Sequence, residues 1–225
     1  RARFSDEGFA RERLGQWAAD LGGLRLISAA QWRDLGVPVA PSDGVRVLGV
    51  AYSADGKRQA VGGAVKHAGG VHVEAVGAHS GSAEAGVRQL VRWLCDDPER
   101  PNRWESFAQI VVVGRAGAPL VQALRDRGVG KRVLIHASGP EYFAACAMFL
   151  DAVRDGSLTH SAVEGQKVLD DSVAVCHRKD RGQDGSWSWE PTTADGDETP
   201  IEAVSVALWA AKKSKRDPSR KAVLI

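Results

Sequence analysis

The chain has 225 residues, of which 44% are hydrophobic and 26% charged, with a formal net charge of +2. That is the size and balance of one generous soluble domain, and the charge is too small to diagnose nucleic-acid binding. No uncharged apolar run reaches the ~20 residues of a membrane-spanning helix, so no membrane partner is expected. Cys95, Cys146 and Cys176 are far apart and flanked by apolar sequence, which reads as reduced thiols rather than a disulfide framework or a zinc site. A chain that begins at Arg1 rather than Met reads as part of a longer protein.

Residues 1–44 read as an N-terminal arm. Phe9, Arg13, Leu14 and Trp17 have near-helical spacing, which predicts a short amphipathic helix over 6–19 that ends at Gly22-Gly23. Pro38, Pro41 and Gly44 mark a loop, and Trp32 is expected to plug the arm onto the body.

The body, 45–211, opens with strand signals. Val45, Val47, Leu48 and Val50 lead to an Ala54-Asp55-Gly56-Lys57 turn, and Gln59-Ala60-Val61 begins the partner strand. After Ala68-Gly69-Gly70 the segment Val71–Val76 alternates, with His72, Glu74 and Val76 on one side. The period then becomes helical at Val87, Leu90, Val91 and Leu94. Ile110–Val113 reads as a buried strand, Leu120, Val121 and Leu124 as a helix, and Val133–Ile135 as another buried strand. A long helix follows Pro140. Strands are therefore expected near 45–53, 58–66, 71–77, 110–113 and 132–135. An antiparallel three-strand meander followed by αβαβα is the order of the RNase H-like α/β fold, a mixed sheet flanked by helices.

Residues 180–199 read as a polar, Gly-containing loop. Within it Trp187 and Trp189 alternate at strand spacing, as a base-stacking platform or as a hairpin edge on the core. Thr199 as N-cap, Pro200 at N1 and Glu202 at N3 spell a capping box that does not need Asp197. Ile201, Val204, Ser205 and Leu208 continue this helix, and the tail, 212–225, carries Lys212, Lys213, Lys215, Arg216, Arg220 and Lys221. Such a tail suits phosphate contact or a solvated terminus. No P-loop, nucleophile elbow, HExxH or Cys/His ligand spacing occurs, so ATP hydrolysis is not expected of this segment.

Leu158-Thr159-His160, Leu169-Asp170-Asp171-Ser172-Val173, Gly185-Ser186-Trp187-Ser188-Trp189 and Asp197–Ala203, with Phe9–Gly15, resemble the C-terminal nuclease region of bacteriophage large terminases. The resemblance implies an endonuclease of concatemeric double-stranded DNA that uses two Mg²⁺ or Mn²⁺ ions on carboxylates. It further implies a preceding ATPase domain, a portal protein and a small terminase subunit as partners, and the host cytoplasm during phage assembly as location. The family's three acidic positions fall near Ala51, at Val113 or Gly114, and at Asp197, so only the third keeps its acid. The expected catalytic residues are Asp197, Asp55 and Glu74, and the expected metal ligands Asp197, Asp55 and Glu202. Arg115, Lys212, Lys213, Lys215, Arg216, Arg220 and Lys221 are the expected DNA contacts. The rival expectation is a decayed RNase H-like module that docks DNA or the portal and motor. A resolvase- or transposase-like nuclease is a third.

Overall fold

The computed structural model describes residues 26–163 and 165–220. The helix expected over 6–19 and the tail residue Lys221 lie outside them.

A seven-stranded mixed sheet forms the centre. Its strands are β1 (Gly36–Val37), β2 (Val45–Tyr52), β3 (Arg58–His67), β4 (Gly70–Ser80), β5 (Gln109–Val113), β6 (Leu134–His136) and β7 (Leu158–Ser161), in spatial order β1-β7-β4-β3-β2-β5-β6. The β2-β3-β4 meander is antiparallel, and β5, β6, β7 and β1 join it as parallel strands. Among the described residues six α-helices accompany the sheet: α1 (Ala29–Asp34), α2 (Ala83–Cys95), α3 (Ala118–Asp126), α4 (Gly139–Arg154), α5 (Lys167–Val175) and α6 (Thr199–Lys213).

The meander and the parallel strands β5 and β6 form where the local pattern predicts them. β1 and β7 do not announce themselves: two and four residues are too short to show a period, and their parallel partners are distant in sequence. The segment 180–199 is not simply a loop. A separate hairpin pairs β8 (Cys176–Asp180) with β9 (Trp187–Pro191), and Trp187 and Trp189 are buried in the core, the latter donating its indole N–H to Ser205 Oγ at 3.0 Å. That burial excludes a base-stacking platform.

Two apolar layers cover the sheet. On one face Leu48, Val50, Ile110 and Val112 meet Leu90 and Leu94 of α2 and Leu120 and Leu124 of α3. On the other, Val47, Ala51, Val111 and Val113 meet α4, α5, β9 and above all α6. Twelve of the fifteen residues of α6 are buried, so it is a central helix rather than an amphipathic surface one. Gly49 and Gly62 are cross-strand partners directly beneath it. A Cβ on Gly49 would stand 2.0 Å from Ala203 O, and one on Gly62 2.7 Å from Val204 N. Two bare backbones thus admit the helix backbone and fix where its first turn falls.

Trp32 of α1 is buried. Its ring stacks on His160 of β7 at 3.8 Å, its indole donates to Asp170 Oδ1 at 2.8 Å, and its carbonyl faces His160 Nε2 at 2.8 Å. His160 and Asp170 therefore work as anchors for the segment before β2.

Candidate functional site

The carboxyl ends of β2, β5 and β6 and the first turn of α6 converge on a cavity of about 770 Å³. Parallel strands leave a crevice at such an end, because the connections there depart to opposite faces. Ser53, Gly114, Arg115 and His136 line the sheet side, Ser138 and Tyr142 come from the start of α4, Arg181 and Glu190 from the hairpin, and Glu198 and Glu202 from α6. Glu198 and Glu202 are four residues apart, so they lie on one helix face.

Glu202 is a strongly perturbed acid. Its carboxylate accepts a hydrogen bond from Tyr142 Oη. It borders the cavity yet is enveloped by protein, and this burial lifts its pKa from 4.5 to about 8, against the lowering effect of the Tyr142 hydrogen bond. The negative charges of Glu198 and Asp197 raise it further, while Arg181 lowers it. Tyr142 in turn is pushed well above its ordinary value, first by burial and then by the Glu202 charge.

The capping box does not form. Glu198 occupies the N-cap position and makes no side-chain cap, and Thr199 is already inside the helix. Asp197 does the capping, since its Oδ1 accepts from Thr199 N at 3.0 Å and Thr199 Oγ1 at 2.9 Å. Ser172 of α5 fixes the same turn by donating to Asp197 O at 2.6 Å and accepting from Ile201 N at 3.2 Å. Local sequence could not separate these arrangements, because Ser172 and Tyr142 come from other elements.

Arg58, at the start of β3, ties the acids to the sheet. Its guanidinium lies 3.1 Å from Glu198 Oε2 and 3.7 Å from Asp197 Oδ1. Asp55, three residues earlier, is exposed in the β2–β3 turn. Its Oδ1 accepts from Ser53 Oγ at 2.7 Å and Lys57 N at 3.0 Å, and these bonds hold its pKa below the ordinary value. It does not line the cavity.

Glu74 lies elsewhere. It pairs with Gly63, which pairs with Leu48, four residues down β2 from Tyr52, or roughly 13 Å at strand rise. The strand face of Gly63 and Val61 is the one opposite α6, and there Ser161 Oγ approaches Glu74 Oε2 at 3.5 Å. Ala51 and Val113, by contrast, are register partners on the α6 face. The strand positions that look toward the first turn of α6 are thus apolar.

The described part of the basic tail, residues 212–220, also lies away from the cavity. α6 is 15 residues long, about 22 Å, and its C-terminal end is the one remote from Glu198. There Arg216 donates to Phe107 O and Ala108 O, Lys212 to Ser157 Oγ, and Lys213 lies over the Trp209 ring at 5.0 Å. Arg220 pairs with Asp217, and Lys215 is exposed at the same end. Arg115 does line the cavity. Sequence reasoning missed Arg58, Tyr142, Arg181 and Glu198. Only the i,i+4 spacing of Glu198 and Glu202 was visible there.

A mixed seven-stranded sheet with an antiparallel meander, parallel strands beyond it, and a site at its carboxyl end defines the RNase H-like class. Among solved structures the chain shares this fold with phage large terminases. It matches the HK97 bacteriophage large terminase with a TM-score of 0.58 and 13% identity, over 83% of this chain and 43% of that one. For large terminase from the thermophilic bacteriophage D6E the values are 0.55 and 11%, over 81% and 42%. The large terminase nuclease from thermophilic phage G20c gives 0.54 and 11%, over 85% and 100%. The chain thus spans about two fifths of the length of the former two and the whole of the G20c nuclease. No family model matches the sequence, and no curated protein matches it.

The G20c nuclease has also been solved with bound magnesium, at TM-score 0.52, 12% identity and coverage of 77% and 85%. The donors here do not fit a two-ion centre. Among the described residues no group of three or more His, Cys, Asp or Glu side chains could hold a metal ion. Each acid near the cavity already has a protein partner: Asp197 the helix start, Glu198 Arg58, Glu202 Tyr142, and Glu190 Lys179.

Proposed function

We propose that this chain is a terminase-type nuclease domain that engages duplex DNA during phage genome packaging. One observation carries the reading: α6 brings Glu198 and Glu202 to the carboxyl end of an RNase H-like sheet, in a cavity that Arg115 and Arg181 also line. A duplex backbone presents phosphates, and a crevice with guanidinium groups at its mouth is complementary to them. The preceding ATPase domain, portal protein and small terminase subunit are the partners this role entails.

Within this reading, cleavage in the presence of Mg²⁺ or Mn²⁺ is the activity to test. Glu190, Glu198 and Glu202 are the acids that line the site, and Asp197 stands next to Glu198 in the chain. A second reading is docking of DNA without cutting, for which the apolar Ala51 and Val113 and the engaged acids are the observations to weigh. Incubation of supercoiled plasmid with the purified chain, with Mn²⁺ and with chelator, separates the two. Metal-dependent nicking or linearisation that Glu202→Gln abolishes supports the nuclease. Retarded but intact plasmid in every condition supports docking, and a chain that neither retards nor cuts DNA refutes the proposal.

A further inference from the structure

The charge bookkeeping around the cavity is asymmetric. Its acids are occupied: Glu198 faces Arg58, Glu202 accepts from Tyr142, and Glu190 is paired with Lys179. Its arginines are not. Arg115 follows the end of β5 and is exposed at the cavity, and Arg181 uses only Nε, on Ser188 Oγ at 2.6 Å. Neither forms an ion pair among the described residues. They approach from different walls, one from the sheet and one from the hairpin.

We infer that this cavity is an anion site, in which Arg115 and Arg181 hold a backbone phosphate of duplex DNA directly, with no divalent ion between. The inference rests on the DNA-engaging reading above and adds how the site grips its ligand. A cation centre needs carboxylates with free lone pairs aimed at a common point. An anion centre needs donors without partners, and unengaged guanidinium forks are matched to phosphate oxygens. Gly114, with φ of 89°, lets the chain turn sharply at the end of β5 and carry Arg115 to the cavity mouth. Burial raises the pKa of Glu202, which lowers the negative charge opposing an anion there.

The test is fluorescence anisotropy with a short labelled duplex of arbitrary sequence, in chelator and in Mn²⁺, across a salt series. Wild type should bind equally well in both buffers. Arg115→Gln and Arg181→Gln should each weaken binding several-fold and reduce the log–log salt slope by about 0.9 per lost phosphate contact. Arg115→Lys and Arg181→Lys should keep the slope, which guards against mere misfolding of the Gln variants. Inorganic phosphate at matched ionic strength should weaken duplex binding by wild type more than by the double Gln variant. Binding that requires Mn²⁺, or a double Gln variant with wild-type affinity and slope, would overturn the inference while leaving DNA engagement intact. Failure of wild type to bind duplex in any buffer would remove both.

Discussion

Tyr142, in the first turn of α4, donates its phenolic hydrogen to Glu202, in the first turn of α6. The bond crosses from one helix to the other at the floor of the cavity and stabilises the ionised carboxylate that burial disfavours. Tyr142→Phe removes this donor, so the Glu202 pKa should rise beyond about 8. Carboxyl carbon chemical shifts followed by NMR across pH will show this; an unchanged or lower midpoint would mean the bond is not formed in solution.

The same shift makes stability depend on pH. Glu202 titrates at about 8 when folded, against 4.5 as its ordinary value, so between these the folded state holds a proton the unfolded state has released. The Glu202 contribution is therefore greatest below about 4.5, declines as pH rises to about 8, and is flat above. Relative to Glu202→Gln, wild type should lose up to a few kcal/mol across that window. Urea unfolding of both proteins at about pH 5 and about pH 9 measures it. Parallel stability curves would show that the carboxylate is not desolvated.

The close seating of α6 on Gly49 and Gly62 gives a third expectation. Gly49→Ala meets helix backbone, which cannot rotate away as a side chain would, so it should cost at least the ~1–3 kcal/mol of an overpacked core. Gly77→Ala, with nothing within 4 Å of the added Cβ, should be neutral or slightly stabilising. Denaturant midpoints for the two variants decide the matter, and equal midpoints would refute the packing argument.

Asp197 should behave as a cap. Asp197→Ala should destabilise by about 1 kcal/mol, whereas Asp197→Asn, whose amide oxygen can still accept from Thr199, should stay near wild type. Thermal melts provide the comparison. If Asp197→Asn melts like wild type but abolishes Mn²⁺-dependent plasmid cleavage, Asp197 is a metal ligand after all.

Arg216 should matter to folding and not to DNA. Its guanidinium bonds Phe107 O and Ala108 O at the strand end remote from the cavity, so Arg216→Ala should cost about 1–3 kcal/mol and leave duplex affinity unchanged. Denaturation and anisotropy on the same preparation check both halves. A large fall in affinity with intact stability would return the tail to the DNA interface.

Local chemistry settled much of this protein in advance. The strand and turn signals from Val45 to Val76, the apolar run Ile110–Val113 and the helical spacing after Pro140 and Pro200 are properties of neighbouring residues, and they sufficed for the meander, the parallel strands β5 and β6 and the RNase H-like order. That Ala51 and Val113 offer no metal ligand was equally visible, because an apolar side chain lacks one wherever it is placed.

What the tertiary structure decided is every role that depends on a partner distant in sequence. β1 and β7 exist only through parallel pairing with one another and with β4. Trp189 is core because Phe149 and Ser205 meet it, and Trp187 packs edge-on against Trp189. Asp197 holds the start of α6 and Glu202 faces Tyr142 because Ser172 and the start of α4 are brought to the first turn of α6. The described part of the basic tail, close to the site in sequence, is separated from it by the length of α6. A carboxylate or a guanidinium has no fixed role of its own; its partners and its exposure assign one, and both are set by packing between elements that the chain order does not place together.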